Sequence, residues 1–186
     1  MVYFIADTHF YDRKCIQYDN RPFAGVEDMN EALIRNWNGV VQSEDTVYIV
    51  GDFSYGVGAD IVSTAQRLKG HKILIKGNHD NDVNLKYAFE EIYEYKEVPL
   101  SNGTVILSHY PLSSFKDMQK GARCIFTAMC TILLKRRSPT MCIPVCGHCP
   151  TGIIILKPIM WGVCNPIWTT RPALLRNCGS VQGSFR

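Results

Sequence analysis

Four places in the chain set metal-binding side chains directly after short apolar runs. Asp7 and His9 follow Val2-Tyr3-Phe4-Ile5-Ala6, and Asp52 follows Val47-Tyr48-Ile49-Val50-Gly51. Asn78, His79 and Asp80 follow Ile73-Leu74-Ile75-Lys76-Gly77, and His109 follows Val105-Ile106-Leu107-Ser108. Carboxylate, amide and imidazole donors suit a hard or borderline divalent cation. Each motif has an ordinary reading by itself. Asp7 can be a turn residue, His9 a loop histidine and Asp52 a helix cap. Asn78-His79-Asp80 can be a polar turn, and His109 a satisfied, partly buried imidazole. What argues for metal is that all four sets stand in the same place relative to an apolar run.

An apolar run closed by glycine or a polar turn reads as a buried strand, and ligands in open α/β sheets gather beyond the carboxyl ends of strands. Between these strands lie helical patterns. Over 27–38, Met29, Leu33, Ile34 and Trp37 share one face, with acids in the first turn and Gly39 as the stop. Over 60–68, Ile61, Val62, Ala65 and Leu68 form a stripe ahead of Gly70. A short helix is expected over 83–91. Residues 11–24 read as a loop turning at Asp19-Asn20-Arg21-Pro22, and strands over 92–99 and 104–107 flank a Ser101-Asn102-Gly103 hairpin turn. Strands alternating with helices imply parallel pairing in an α/β fold built of βαβ units.

The four motifs, in this order, resemble those of the calcineurin-like metallophosphoesterases over roughly residues 1–122. Asp7-Thr8-His9-Phe10, Asn20-Arg21-Pro22-Phe23, Gly51-Asp52-Phe53 and Ser108-His109-Tyr110-Pro111 are similar to the short, single-domain members of bacteria and their phages. The resemblance implies an α/β/β/α sandwich in which a second sheet packs on the first. It implies two divalent metal ions (Mn, Fe, Zn or Ni), with Asp7 and His9 on one, Asn78 and His109 on the other and Asp52 between them. His79 would be a catalytic group facing the phosphoryl oxygen or leaving group, and Asp80 would orient it. Arg21 has two readings, a substrate-phosphate contact or a structural arginine, and His71 reads as surface. The family's closing Gly-His-x-His motif is absent.

The chain breaks compositionally near Arg123. Residues 1–122 carry all 17 acids against 12 Lys and Arg, a net of −5, whereas residues 123–186 carry eight basic residues and no acid, a net of +8; together these give the overall +3. Ordinary usage would place about eight acids in such a segment. Seven of the eight cysteines also fall after the break. Cys142, Cys146, His148 and Cys149 are soft zinc donors at a spacing that fits no standard knuckle, and Lys135-Arg136-Arg137 is a short basic run. Local periodicity fades here, apart from Ile153-Ile154-Ile155-Leu156, which reads as a buried strand.

A change of reading frame accounts for these features together. Read one base upstream, the codons of Phe126-Thr127-Ala128-Met129-Cys130-Thr131 permit Tyr-Gly-His-Val-His-Asn, with the valine obligatory between the Met and Cys codons. That is the missing motif. The same displacement lets Ile159-Met160-Trp161-Gly162-Val163-Cys164 encode Asn-Val-Gly-Cys-Met, similar to the segment that follows in short family members. The expected organisation is therefore a metallophosphoesterase core over 1–122 and an aberrant basic, Cys-rich tail of low order over 123–186. His148 as a replacement ligand is disfavoured by its cysteine neighbour and its distance from His109.

The function expected is metal-dependent hydrolysis of a small phosphomonoester or phosphodiester, impaired in this chain by the lost motif. The alternatives are a nuclease and a catalytically silent metal- or nucleic-acid-binding protein that uses the tail. The acidic core disfavours a nucleic-acid partner. No run is long enough to span a bilayer and the amino terminus reads as a strand rather than a signal peptide, so a cytoplasmic protein is expected. The sequence leaves the natural substrate, the metal identity and the oligomeric state open.

Overall fold

Alternation along the first strands assigns their side chains to two opposite cores. In β1 (Val2–Ile5), Tyr3 and Ile5 face one way, while Phe4, and Ala6 beyond the strand, face the other. Buried on both faces, such strands must lie at the centre of a layered structure. The computed structural model describes residues 1–100, 103–115, 123–127 and 154–155, with the backbone alone at 100, 103, 123–127 and 154–155.

After β1 come α1 (Arg13–Tyr18), α2 (Val26–Val40), β2 (Thr46–Val50), α3 (Gly58–Arg67), β3 (His71–Ile75), α4 (Leu85–Ala88) and β4 (Glu91–Tyr93). Then follow β5 (Tyr95–Leu100), β6 (Gly103–Ser108), β7 (Arg123–Thr127) and β8 (Ile154–Ile155). One sheet has the order β4-β3-β2-β1-β8, all parallel. The second has the order β5-β6-β7, with β5 antiparallel and β7 parallel to β6.

The helices cover one face of the first sheet. Met29, Leu33, Ile34 and Trp37 of α2, with Ile61 and Ala65 of α3, pack on Tyr3, Ile5, Val47, Ile49 and Leu74. Acids at Glu27 and Asp28 sit in the first turn of α2, where the helix dipole favours them. The opposite face carries Phe4, Tyr48, Val50, Ile73 and Ile75, which meet Val98, Val105 and Leu107 of the second sheet. The sheet-on-sheet layer implied by the family resemblance is thus present, and Ile106, on the far face of β6, is fully buried as well.

Several local expectations are corrected. The segment read as a loop over 11–24 contains α1, whose amino end is capped by Asp12, with Oδ1 accepting from Lys14 N (2.8 Å) and Cys15 N (3.2 Å). Gly39 does not stop α2, which runs on to Val40. The expected helix over 83–91 shrinks to one turn. The single strand read over 92–99 is two strands in different sheets: β4 pairs with β3, then the chain crosses at Glu94 and β5 pairs with β6. Where the sequence breaks compositionally, β7 joins the second sheet, and the apolar run at 153–156 supplies β8 beside β1.

Candidate metal centre

Parallel pairing brings the carboxyl ends of β1, β2 and β3 to one edge, so the loops carrying Asp7, Asp52 and Asn78 leave the sheet side by side. Pairing of Ile5 with Ile49 continues past the strands as Asp7 N→Gly51 O (3.1 Å), His9 N→Asp52 O (3.0 Å) and Phe10 N→Phe53 O (2.9 Å). Asp7, His9 and Asp52 all have positive φ, at 53°, 52° and 54°. Left-handed backbone costs a non-glycine residue about 1–3 kcal/mol and persists only where surrounding structure imposes it. Here the ladder imposes it, and the side chains turn inward as a result.

Two glycines make room for the close approach. A Cβ at Gly51, whose φ is +83°, would lie 2.0 Å from His109 Nδ1. At Gly77 it would lie 2.3 Å from Asp52 Oδ1. Both motifs therefore need glycine for space, and Gly51 for its left-handed backbone as well.

The donors assemble around Asp52. Asp7, His9 and Asp52 each bring one ligand atom within 4.8 Å of the others. Asp52 Oδ2 lies 3.7 Å from His9 Nε2 and 3.6 Å from His109 Nε2, which places it between the two imidazoles. On the His109 side, Asn78 Oδ1 is 3.1 Å from the same Nε2. His79 stands at the rim, its side chain about one-third exposed, with Nε2 4.0 Å from Asp52 Oδ2.

The donor set fits a cation. His109 Nδ1 lies 3.1 Å from the carbonyl of Val50, an acceptor, so Nδ1 carries the proton and Nε2 presents a lone pair. That lone pair faces the Asn78 amide oxygen and the Asp52 carboxylate, which are acceptors too. Three acceptors converging this closely, two of them on the buried Asp52 and His109, repel one another unless a proton or a cation lies among them. Burial, with the adjacent Asp52 charge, pushes the Asp7 carboxyl up to about 7. Burial, with the nearby Arg21 charge, holds His9 below its ordinary value, which favours the neutral ring that a metal requires.

Supporting groups hold these donors. Asp80, 2% exposed, was expected to orient His79. Its carboxylate instead accepts from Asp52 N (2.7 Å), Phe53 N (3.0 Å) and Gly77 N (2.8 Å), binding the second loop to the third. It reaches His79 only through Asp52, whose Oδ1 accepts from the His79 backbone N–H at 3.1 Å. Burial raises the Asp80 carboxyl, against the opposing pull of its three backbone donors.

Arg21 resolves to its structural reading. It is 4% exposed and donates to Thr8 O (3.0 Å), Asp7 O (3.2 Å) and Asp19 Oδ2 (3.2 Å), so it buttresses the first loop from behind. His71 is on the surface, with Nδ1 2.9 Å from Glu90 Oε1.

Sequence reasoning missed two residues here. Asp12 Oδ2 lies 3.2 Å from His9 Nδ1, outside hydrogen-bond geometry but at the distance of carboxylate–histidine pairs that orient metal ligands. Its position before a helical turn was a readable cap signal. Tyr55, hydrogen-bonded to His79, had none. Cys142, Cys146, His148, Cys149 and Lys135-Arg136-Arg137 lie outside the described residues.

Comparison with known proteins identifies the family. A family model described as calcineurin-like phosphoesterase matches residues 1–154, running past the compositional break near Arg123. An uncharacterized protein of Methanocaldococcus jannaschii is 39% identical over 116 residues, covering 61% of this chain and 61% of its own. A Gene 66 protein of a Mycobacterium phage is 31% identical over 129 residues, covering 59% and 63%. The chain thus spans about three-fifths of the length of these curated relatives. The crystal structure of a protein of unknown function from Aquifex aeolicus is 35% identical and superposes with a TM-score of 0.53, over 64% of this chain and 67% of that one. With the family model spanning most of the sequence and the solved neighbour sharing the fold, the chain belongs to the calcineurin-like phosphoesterases.

Proposed function

We propose that the chain is built to hydrolyse small phosphate monoesters or diesters at a centre of two divalent metals, with Asp7 and His9 on one, Asn78 and His109 on the other, and Asp52 shared. The observation that carries this reading is the position of Asp52 Oδ2, within 3.7 Å of both His9 Nε2 and His109 Nε2. Two such metals supply a nucleophile from water at neutral pH and neutralise charge on the phosphoryl oxygens. The chain's own residues do the rest. Asp52 balances the cations, Asp80 and Arg21 fix the loops, and His79 faces the substrate from the rim as a proton donor to the phosphoryl or leaving-group oxygen.

We further propose that residues 123–186 translate a frame displaced by one base from the family's. Parallel register supports this reading. Ser108 pairs with Thr127, so the chain leaves β7 at the same sheet end where His109 follows β6. In sequence, the displaced frame puts the histidines of Tyr-Gly-His-Val-His-Asn within four residues of the end of β7. The encoded chain has Ala128, Met129 and Cys130 at that point.

The test is hydrolysis of bis-nitrophenyl phosphate and nitrophenyl phosphate by this chain and by a frame-restored version, each stripped of metal and given back Mn²⁺. Turnover confined to the restored protein is the expected result. Equal turnover by both, abolished by Asp52→Asn, refutes the frame reading and keeps the phosphoesterase. No metal-dependent turnover by either refutes both.

A further inference from the structure

Tyr55 is 47% exposed and belongs to neither hydrophobic core, yet its ring stands against two histidines of the centre. Its centroid is 4.4 Å from that of His79, tilted 41°, and 6.1 Å from that of His9, nearly parallel at 19°. The Tyr55 hydroxyl and His79 Nε2 are 3.2 Å apart. A solvent-facing tyrosine with this many contacts on one side gains little from burial. Its contacts are with the site.

The backbone beneath Tyr55 is pinned. Tyr55 N donates to Phe10 O at 2.7 Å, Ser54 pairs with Phe10 in a β-bridge, and Gly56 N donates to Ser54 Oγ at 2.9 Å. The phenol is therefore presented from a turn that joins the first two loops. His79 is held differently. Its backbone N–H is fixed on Asp52 Oδ1, but its side chain is about one-third exposed, and among the described residues its ring makes one hydrogen bond, to Tyr55. Without that bond the imidazole is free to leave the direction in which Nε2 faces Asp52 Oδ2.

We propose that Tyr55 is a positioning residue that acts through His79: its hydroxyl oxygen accepts from Nε2–H and holds the imidazole beside the Asp7–His9–Asp52 cluster, and Nε2 exchanges that hydrogen bond for one to the leaving-group oxygen of a phosphate ester when it gives up its proton. The inference rests on the phosphoesterase reading for the role of His79, and on geometry alone for the hydrogen bond. Substitution of Tyr55 by Phe removes the hydroxyl and keeps the ring, so packing against His9 and His79 is preserved.

Two readouts on the full chain separate the possibilities. The first is the ring ¹⁵N spectrum of His79 in the metal-free protein, with His109 as internal control. Tyr55→Phe is expected to move and broaden the His79 Nε2 signal and leave His109 in place. The second is leaving-group dependence in the Mn²⁺-loaded, frame-restored protein, the form expected to turn over. A displaced proton donor penalises poor leaving groups most, so kcat is expected to fall about tenfold for phenyl phosphate and less than about twofold for nitrophenyl phosphate, with KM nearly unchanged. An unmoved His79 spectrum overturns the proposal, as does an equal loss for both esters. If the unsubstituted frame-restored protein turns over neither ester, the phosphoesterase reading fails, and the spectrum alone still decides whether Tyr55 holds His79.

Discussion

Asp7→Asn is expected to stabilise the metal-free protein above neutral pH while weakening its response to metal. Burial and the neighbouring Asp52 charge move the Asp7 carboxyl from 3.8 to about 7. Between those values the folded chain keeps a proton that the unfolded chain has released. Stability from this group is complete below pH 3.8 and is lost as pH rises through about 7. A span of about 3 pH units, at about 1.4 kcal/mol each, sets a ceiling of about 4 kcal/mol. Asp7 keeps a solvent-facing portion, so about half of that, ~2 kcal/mol, is the magnitude expected. In a domain of this size it corresponds to about 4–8 °C in Tm. The assay is urea and thermal unfolding in chelator from pH 4.5 to 8.5, with wild type and Asp7→Asn side by side. Because His9 and Asp80 also titrate abnormally, the difference between the two proteins, not either curve alone, isolates Asp7. The curves should meet near pH 4, separate as pH rises to about 7 and keep a constant difference above it, and Mn²⁺ should raise the Tm of wild type more than that of Asp7→Asn. If Asp7→Asn is no more stable than wild type at pH 8.5 in chelator, the reasoning is refuted.

Two other perturbations probe the scaffold. Gly51→Ala places a Cβ 2.0 Å from His109 Nδ1 on a backbone with φ +83°; a loss of about 2–4 kcal/mol in urea unfolding is expected, together with displaced His109 resonances. Arg21→Met removes the buried donors to Asp7 O and Thr8 O and leaves Asp19 without that partner. It should cost about 3 kcal/mol and weaken Mn²⁺ binding measured by calorimetry; unchanged affinity would mean that the first loop holds its shape without Arg21.

The grouping of Asp7, His9 and Asp52 was legible because its signals are local. Each ligand motif sits one or two residues beyond an apolar run, and glycines mark the two loops where backbone or imidazole must come close. Elements decided by distant partners were not legible. No glycine or proline interrupts the chain from Ile92 to Val98, so nothing in the segment reveals that one half pairs with β3 and the other with β6. Helix α1 is six residues long with a single buried side chain, Cys15, too short for periodicity to register. Gly39 illustrates the opposite error: a helix breaker in isolation, it is carried inside α2 by the packing of Trp37 on the core. The second sheet was foreseen from family resemblance and not from pattern. Asp80 shows the limit of reading neighbours as partners, since adjacency to His79 suggested a contact, whereas its carboxylate turns to three backbone amides.

The central claim is that Asp52 is shared by two metals. Electron paramagnetic resonance of the chain and of its frame-restored version, titrated with Mn²⁺, tests it most directly. At two equivalents the spectrum of the restored protein should be that of an exchange-coupled Mn pair, replaced in Asp52→Asn by signals of isolated ions. Isolated-ion signals from the unsubstituted protein at every ratio, indifferent to Asp52→Asn, would contradict the claim.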